Sequence, residues 1–273
     1  MKNILFLLLC LGSSFPGYAS GTQQSPAAEL KPLTDIRILD LTHAFSEETV
    51  YWVTAREFDL DTVFAGPTEK GYYYSAFDFT TAEHGGTHID APIHFAEHGQ
   101  SVEEIPLEKL IGPAVKIDVS ARAAHDPDYQ IQVSDLTAWE ASQKLQIPDG
   151  SIVLLQTGFS RYYPDREKYL GTAERGEQAV ELLHFPGLSP EAARWLVENR
   201  RIHAIGIDTP SIDYGQSRLF ESHVILLSAN IPAFENLTAL EELPATDFEV
   251  IALPMKIQGG SGGPLRIVAI LRE

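Results

Sequence analysis

The sequence predicts a mixed α/β domain with more sheet than helix, on three observations. Six short runs are rich in β-branched and other apolar residues: 115–119, 152–157, 204–208, 223–228, 248–257 and 266–271. Only two segments carry clear helix signals. The runs do not alternate with helices in the regular order of a βαβ repeat, which favours substantial sheet with a few flanking helices.

Taken in order, the chain opens with the pattern of an export signal over residues 1–19. Lys2 is a short basic start, residues 4–11 are apolar, and Gly17 and Ala19 place small residues at −3 and −1 of a cleavage site. The apolar run is too short to span a bilayer core of roughly 30 Å. The expectation is therefore a periplasmic or secreted protein, with an uncleaved anchor as the alternative. Residues 20–34, rich in Ser, Gln, Pro and Ala, read as a disordered leader, and residues 35–273 as one domain without a linker or internal repeat.

The first helix opens with Ser134 as N-cap and turns Leu136, Trp139 and Leu145 toward a core. The second begins at Ser189-Pro190, an N-cap followed by proline in the first helical position. Glu191 sits near its positive end and Arg200-Arg201 near its negative end. The Gly-rich run at 259–263 follows a strand and opens no helix, so it reads as a hairpin turn and not as a phosphate loop.

Cys10, inside the signal, is the only cysteine. The mature chain thus has no disulfide, no thiolate metal ligand and no cysteine nucleophile. The formal charge is −18, or −19 without Lys2. Such a surface repels nucleic acid and offers no polybasic membrane patch once the signal is cleaved. Nine histidines in a thiol-free acidic chain leave nitrogen and oxygen as the metal donors available.

Those donors converge in His84-Gly-Gly-Thr-His88-Ile-Asp90-Ala-Pro-Ile-His94-Phe95. A 4-residue His spacing suits one helix face, but Gly85, Gly86 and Pro92 oppose a helix. In an extended chain the even-numbered His84, His88, Asp90 and His94 would share one side, with Ile89, Ala91, Ile93 and Phe95 facing a core. Imidazoles with a carboxylate suit zinc or manganese, and an Asp can bridge two ions. Candidates to complete a binuclear site are His223 and Glu235. Spacing alone does not select them: His223 also reads as the start of a strand and Glu235 as a surface carboxylate.

These residues resemble the cyclase family of metal hydrolases, which includes bacterial-type kynurenine formamidase and isatin hydrolase. The resemblance runs from residue 38 to residue 270. It includes the H-x-G-T-H-x-D-x-P-x-H motif of His84 to His94, Leu155-Gln-Thr-Gly158, residues 205–213, residues 252–257 and Gly263-Pro-Leu-Arg266. It implies a swivelling β/β/α-type sandwich, dimeric or higher. It further implies His84, His88, Asp90, His223 and Glu235 as ligands of one or two Zn2+ or Mn2+ ions, with Asp90 bridging, and His94 as the catalytic histidine. The chain departs from the family after Trp52, where Val53-Thr54 replaces a Pro-Gly-type turn. Trp52 is a candidate substrate-binding residue, and Trp52, Phe64, Tyr72, Tyr73 and Tyr74 could together form an aromatic pocket or be ordinary core and loop residues.

The expected activity is hydrolysis of a small aromatic amide. A bound ion would lower the pKa of water from 15.7 to about 7, and His94 would protonate the departing aryl amine. The arylformamidase reaction, N-formylkynurenine to kynurenine and formate, is the first reading, and lactam opening of the isatin hydrolase type the alternative. A non-enzymatic exported metal binder is the reading from another class. A serine mechanism with Ser211, Asp208 and Asp213 lacks a G-x-S-x-G elbow. Asp208 and Asp213 read as braces of turns, and the sequon at Asn236 as chance.

Overall fold

Runs of Val, Ile and Leu without polar alternation need apolar cover on both faces of the sheet they form. The computed structural model describes residues 36–272, so the signal and leader expected over residues 1–34 lie outside the described residues. Its elements are β1 (Ile36–Asp40), β2 (Asp59–Pro67), β3 (Tyr73–Thr80), β4 (His88–Asp90), α1 (Leu107–Leu110), β5 (Ile111–Asp118), α2 (Ser120–Ala123), β6 (Gln130–Ile131) and α3 (Val133–Gln143). There follow β7 (Ile152–Gln156), α4 (Arg166–Leu170), β8 (Gly187–Leu188), α5 (Pro190–Asn199), β9 (Ala204–Ile207), α6 (Glu221–Ser228), β10 (Ala233–Glu235), β11 (Phe248–Pro254) and β12 (Gly262–Arg272). No helix among the described residues is long and apolar enough to cross a membrane.

Eight strands form one mixed sheet in the order β1-β12-β11-β5-β7-β9-β10-β4. β4 pairs with β10 on one side and with the start of β12 on the other, so the sheet closes into a barrel. The strands β5, β7, β9 and β10 run parallel, and the rest are antiparallel. β7 shows how the cover is provided. Ile152 and Leu154 join the cluster containing Ile89, Phe234, Val250 and Ile267. Val153 and Leu155 face the other way, packing with Leu136, Trp139, Ala193 and Leu196 of α3 and α5. The mixed α/β expectation holds, with strands close to those predicted.

Three local expectations are corrected. The first long helix starts two residues earlier than expected: Gln132, not Ser134, is its N-cap, and the Asp135 carboxylate accepts from the Gln132 backbone N–H at 2.7 Å. That helix ends at Gln143, with Lys144 in a left-handed conformation, so Leu145 is exposed and joins no core. Residues 223–228 belong to α6 and not to a strand. The cause is tertiary: Asp213 accepts from the backbone N–H groups of Ser222 and His223, both at 3.1 Å, capping the helix from outside its own sequence. Leu226 and Leu227 are buried in consequence. The second helix begins as predicted, Ser189 Oγ accepting from Ala192 N at 3.1 Å.

The hairpin between β11 and β12 turns through the Gly-rich run, as expected. A second hairpin was not foreseen. β2 and β3 pair with each other in a separate two-stranded ribbon, and no residue of either strand is buried.

Candidate active site

Barrel closure builds the site. β4 lies between β10 and β12, and its register sets His88 opposite Glu235 and Asp90 opposite Ala233. The N-terminal turn of α6 brings His223 to the same place. His88 Nε2 lies 3.2 Å from Asp90 Oδ1 and 3.4 Å from Glu235 Oε2. His223 Nε2 lies 3.0 Å from Asp90 Oδ2 and 3.2 Å from Glu235 Oε1. His84 Nδ1 approaches Asp90 Oδ1 at 2.6 Å.

Two donor groups result, His84/His88/Asp90 and Asp90/His223/Glu235, sharing Asp90. An ion with bonds of about 2.0–2.2 Å in tetrahedral coordination separates its donors by about 3.3 Å. The four spacings around His88 and His223 match that edge, and the all-N/O donor set fits a borderline divalent ion. The residues therefore fit the group their sequence pattern suggested.

The remaining ring nitrogens are tied to partners that fix each imidazole. His88 Nδ1 donates to Gly86 O at 2.9 Å, and His223 Nδ1 to Asp213 at 2.6 Å, leaving Nε2 of each for the centre. His84 Nε2 meets Ser261 Oγ at 2.9 Å, and Ser261 Oγ donates to Glu83 at 2.6 Å, so Nδ1 of His84 faces Asp90. Glycine is needed where these pieces touch. A Cβ on Gly85 would fall 1.9 Å from Tyr51 Cδ1, and one on Gly262 would fall 2.6 Å from His84 Cε1. Gly86 adopts φ +55°.

Electrostatics follow from burial and proximity. Burial pushes the Asp90 carboxyl up, but the surrounding imidazoles of His84, His223 and His88 hold it well below the usual range. Burial also opposes charge on His223, yet hydrogen bonds to Asp213, Asp90 and Glu235 raise its pKa well above the ordinary value. Glu235 is raised by burial and by Asp90. His94 stands outside both donor groups, stacked on His84 with centroids 3.8 Å apart, and burial lowers it to about 4.

The donors form the floor of a cavity of about 310 Å³ whose walls include Val50, Tyr51, Trp52, Phe95, Pro210 and Phe220. Among the described residues, no Lys or Arg lines it. Trp52 is in this wall, edge-on to Phe185 at 6.4 Å and Phe220 at 6.1 Å. Phe64, Tyr72, Tyr73 and Tyr74 are not: they sit exposed on the ribbon or its turn and form no pocket with Trp52. The parity expectation holds for Ala91, Ile93 and His94 and fails at Phe95. Residues Pro92–His94 form a 3-10 turn, so Phe95 leaves the core side and its ring lies 4.6 Å from that of His223.

Glu83, Ser261 and Asp213 support the site without having been singled out for it. Only Asp213 left a sequence signal, as one of two Asp residues at a strand end. Asp208, the other, accepts from Thr157 N at 2.7 Å and Gly158 N at 2.7 Å, bracing a turn as expected. Asn236 is buried and accepts from Tyr169 OH at 2.9 Å, which agrees with a chance sequon.

Known proteins share this architecture. The chain is 31% identical over 198 residues to isatin hydrolase of Roseibium aggregatum, covering 69% of this chain and 72% of that protein. It is 29% identical over 237 residues to kynurenine formamidase of Salinibacter ruber, covering 86% and 97%. Among solved structures, isatin hydrolase A from Labrenzia aggregata, bound to benzyl benzoate, matches with a TM-score of 0.79 at 33% identity, over 88% of this chain and 95% of that one. The Cyclase family model matches residues 39–214, well over half of the sequence and including His84, His88, Asp90 and His94. The chain belongs to the cyclase family of hydrolases.

Proposed function

We propose that the chain hydrolyses the amide bond of a small, uncharged aromatic substrate of the isatin type, using one or two divalent ions, zinc or manganese. The observation that carries this reading is the pair of donor groups sharing Asp90 beneath an aromatic cavity without cationic lining. When bound, a divalent ion supplies Lewis acidity toward the amide carbonyl and the attacking water.

The chain's own residues do the rest. Trp52, Phe95 and Phe220 present ring faces and edges to an aryl group and exclude bulk water from the floor. His94, neutral above about pH 4, holds a free lone pair at the edge of the donor set and can take a proton from water. The resulting imidazolium, disfavoured by burial, passes that proton to the departing aryl nitrogen, which leaves as an amine. Asp213 keeps His223 in one tautomer throughout.

N-formylkynurenine is the second reading, favoured by the near full-length likeness to a kynurenine formamidase. That substrate carries an α-carboxylate and an ammonium group. Among the described residues, the cavity wall offers carboxylates and aromatics but no Lys or Arg to pair the former. A side-by-side assay with isatin and N-formylkynurenine decides: faster turnover of isatin is expected, and a preference for N-formylkynurenine would reverse the order. Metal binding without turnover of either would return the non-enzymatic reading.

Residues 1–19 support placing the enzyme in the periplasm or outside the cell. An exported product beginning at Ser20 is the expected result of intact-mass measurement.

A further inference from the structure

Ser211 carries a hydroxyl that the proposed chemistry leaves unused. Its segment is pinned at successive positions. Thr209 O accepts from Asn236 N at 2.9 Å, and Thr209 Oγ1 donates to Ser211 O at 2.9 Å. Ile212 N donates to Glu235 Oε1 at 2.7 Å, and Ile212 O accepts from Leu188 N at 2.7 Å. Ser211 is therefore held beside Glu235, one of the donors, and it lines the cavity at 4% exposure. Among the described residues its Oγ has no hydrogen-bond partner, and it is not sealed off, so it faces the open cavity. The hydroxyl of Tyr51, also in this wall, is taken by Thr81 Oγ1 at 2.5 Å, and Asn236 has its Oδ1 taken by Tyr169 OH at 2.9 Å.

This hydroxyl is placed to bind and not to attack. Asp213 is engaged by His223 Nδ1 at 2.6 Å, and Asp208 by Thr157 and Gly158, so neither carboxylate is free to activate Ser211 as a nucleophile. A lone hydroxyl among Val50, Tyr51, Trp52, Phe95 and Phe220 instead fixes the orientation of a ligand that brings it a polar atom. Because the backbone on both sides of Ser211 is already held, little freedom is lost when that contact forms.

Which atom it meets follows from the proposed amide hydrolysis, on which the inference rests. His94 stacks on His84, in one donor group, whereas Ser211 sits against Glu235, in the other. With the departing nitrogen turned to His94, the remaining substituent of the scissile carbonyl carbon points toward Ser211. In a lactam of the isatin type that substituent is a ketone, whose oxygen accepts a hydrogen bond. In a formamide it is a hydrogen atom, which offers nothing. We propose that Ser211 Oγ donates a hydrogen bond to a ketone oxygen adjacent to the scissile amide, so that the site selects aromatic α-keto amides over formamides.

The test compares two ligands by calorimetry on the metal-loaded chain. One is 2-aminophenylglyoxylate, the ring-opened product of isatin, and the other is 2-aminophenylacetate, which lacks the ketone. Wild type should bind the keto acid about 10-fold more tightly, as one hydrogen bond between neutral groups allows. Ser211→Ala should bind the two alike, with unchanged metal content and circular dichroism spectrum. In turnover, Ser211→Ala should lose about 10-fold in kcat/KM for isatin and nothing for N-formylkynurenine. If Ser211→Ala fails to fold, Ser211→Cys, close in size and a weak donor, should lose most of the same preference. Equal binding of both acids by wild type, or a folded variant that keeps the preference, would overturn the role of Ser211 while turnover of isatin by wild type upholds the amide reading. A wild type that neither binds the keto acid nor opens isatin would overturn both.

Discussion

Asp90 joins the two halves of the site, with one carboxylate oxygen toward His84 and His88 and the other toward His223. His94 is near all of them yet belongs to neither donor group, which under the proposed mechanism separates metal binding from proton transfer. His94→Ala is accordingly expected to keep its metal content while turnover falls by about 100-fold or more. Loss of metal in step with activity would make His94 a ligand. The Glu83–Ser261 pair acts one step further out, by orienting His84. Ser261→Ala should weaken metal affinity by about 10-fold, in the range found for partners of metal-bound histidines. Titration with a chromophoric chelator reads this without any assay of turnover, and an unchanged affinity would reduce the contact to packing.

At the scale of elements, the site depends on how closely three segments approach. The Tyr51 ring packs directly against Gly85, so Gly85→Ala must displace a buried ring and is expected to cost about 1–3 kcal/mol of stability. Denaturant titration measures it, and a neutral effect would mean that this approach is looser than described. The same contacts explain what could be read beforehand. His84, His88, Asp90 and His94 announced themselves because they lie within eleven residues. The strands at 152–157 and 204–208 were legible because apolar residues fill both of their faces. His223 was placed in a strand because Val224, Ile225, Leu226 and Leu227 have strand-like content. The helix that actually forms is capped by Asp213, ten residues away, and no local pattern records that. The ribbon was missed for a related reason: its large apolar residues stay exposed, and within the described chain only the stacking of Phe79 on Phe58 at its root ties an aromatic of the ribbon to the domain.

For the whole molecule, the consequence of burying ionisable groups is a stability that depends on pH. His43 stacks on Tyr163 with centroids 3.7 Å apart, its Nε2 has no partner among the described residues, and burial lowers it from 6.5 to about 4. The unfolded chain therefore binds a proton below pH 6.5 that the folded chain refuses until about pH 4. The stabilising contribution is complete above pH 6.5 and is lost as pH falls toward 4. It amounts to about 2 kcal/mol after allowing for partial exposure. His43→Gln should narrow the gap between unfolding free energies measured at neutral and acid pH, and an unaltered gap would contradict this assignment.

The central claim, a divalent metal centre organised by Asp90, is tested most directly by metal content. The chain, purified without chelator, would be analysed by elemental mass spectrometry beside Asp90→Asn. One or two equivalents of zinc or manganese in the wild type, and at most traces in a folded Asp90→Asn chain, are the predicted results. A wild-type chain that stays empty after both metals are added back, or an Asp90→Asn chain that retains full occupancy, would contradict the account.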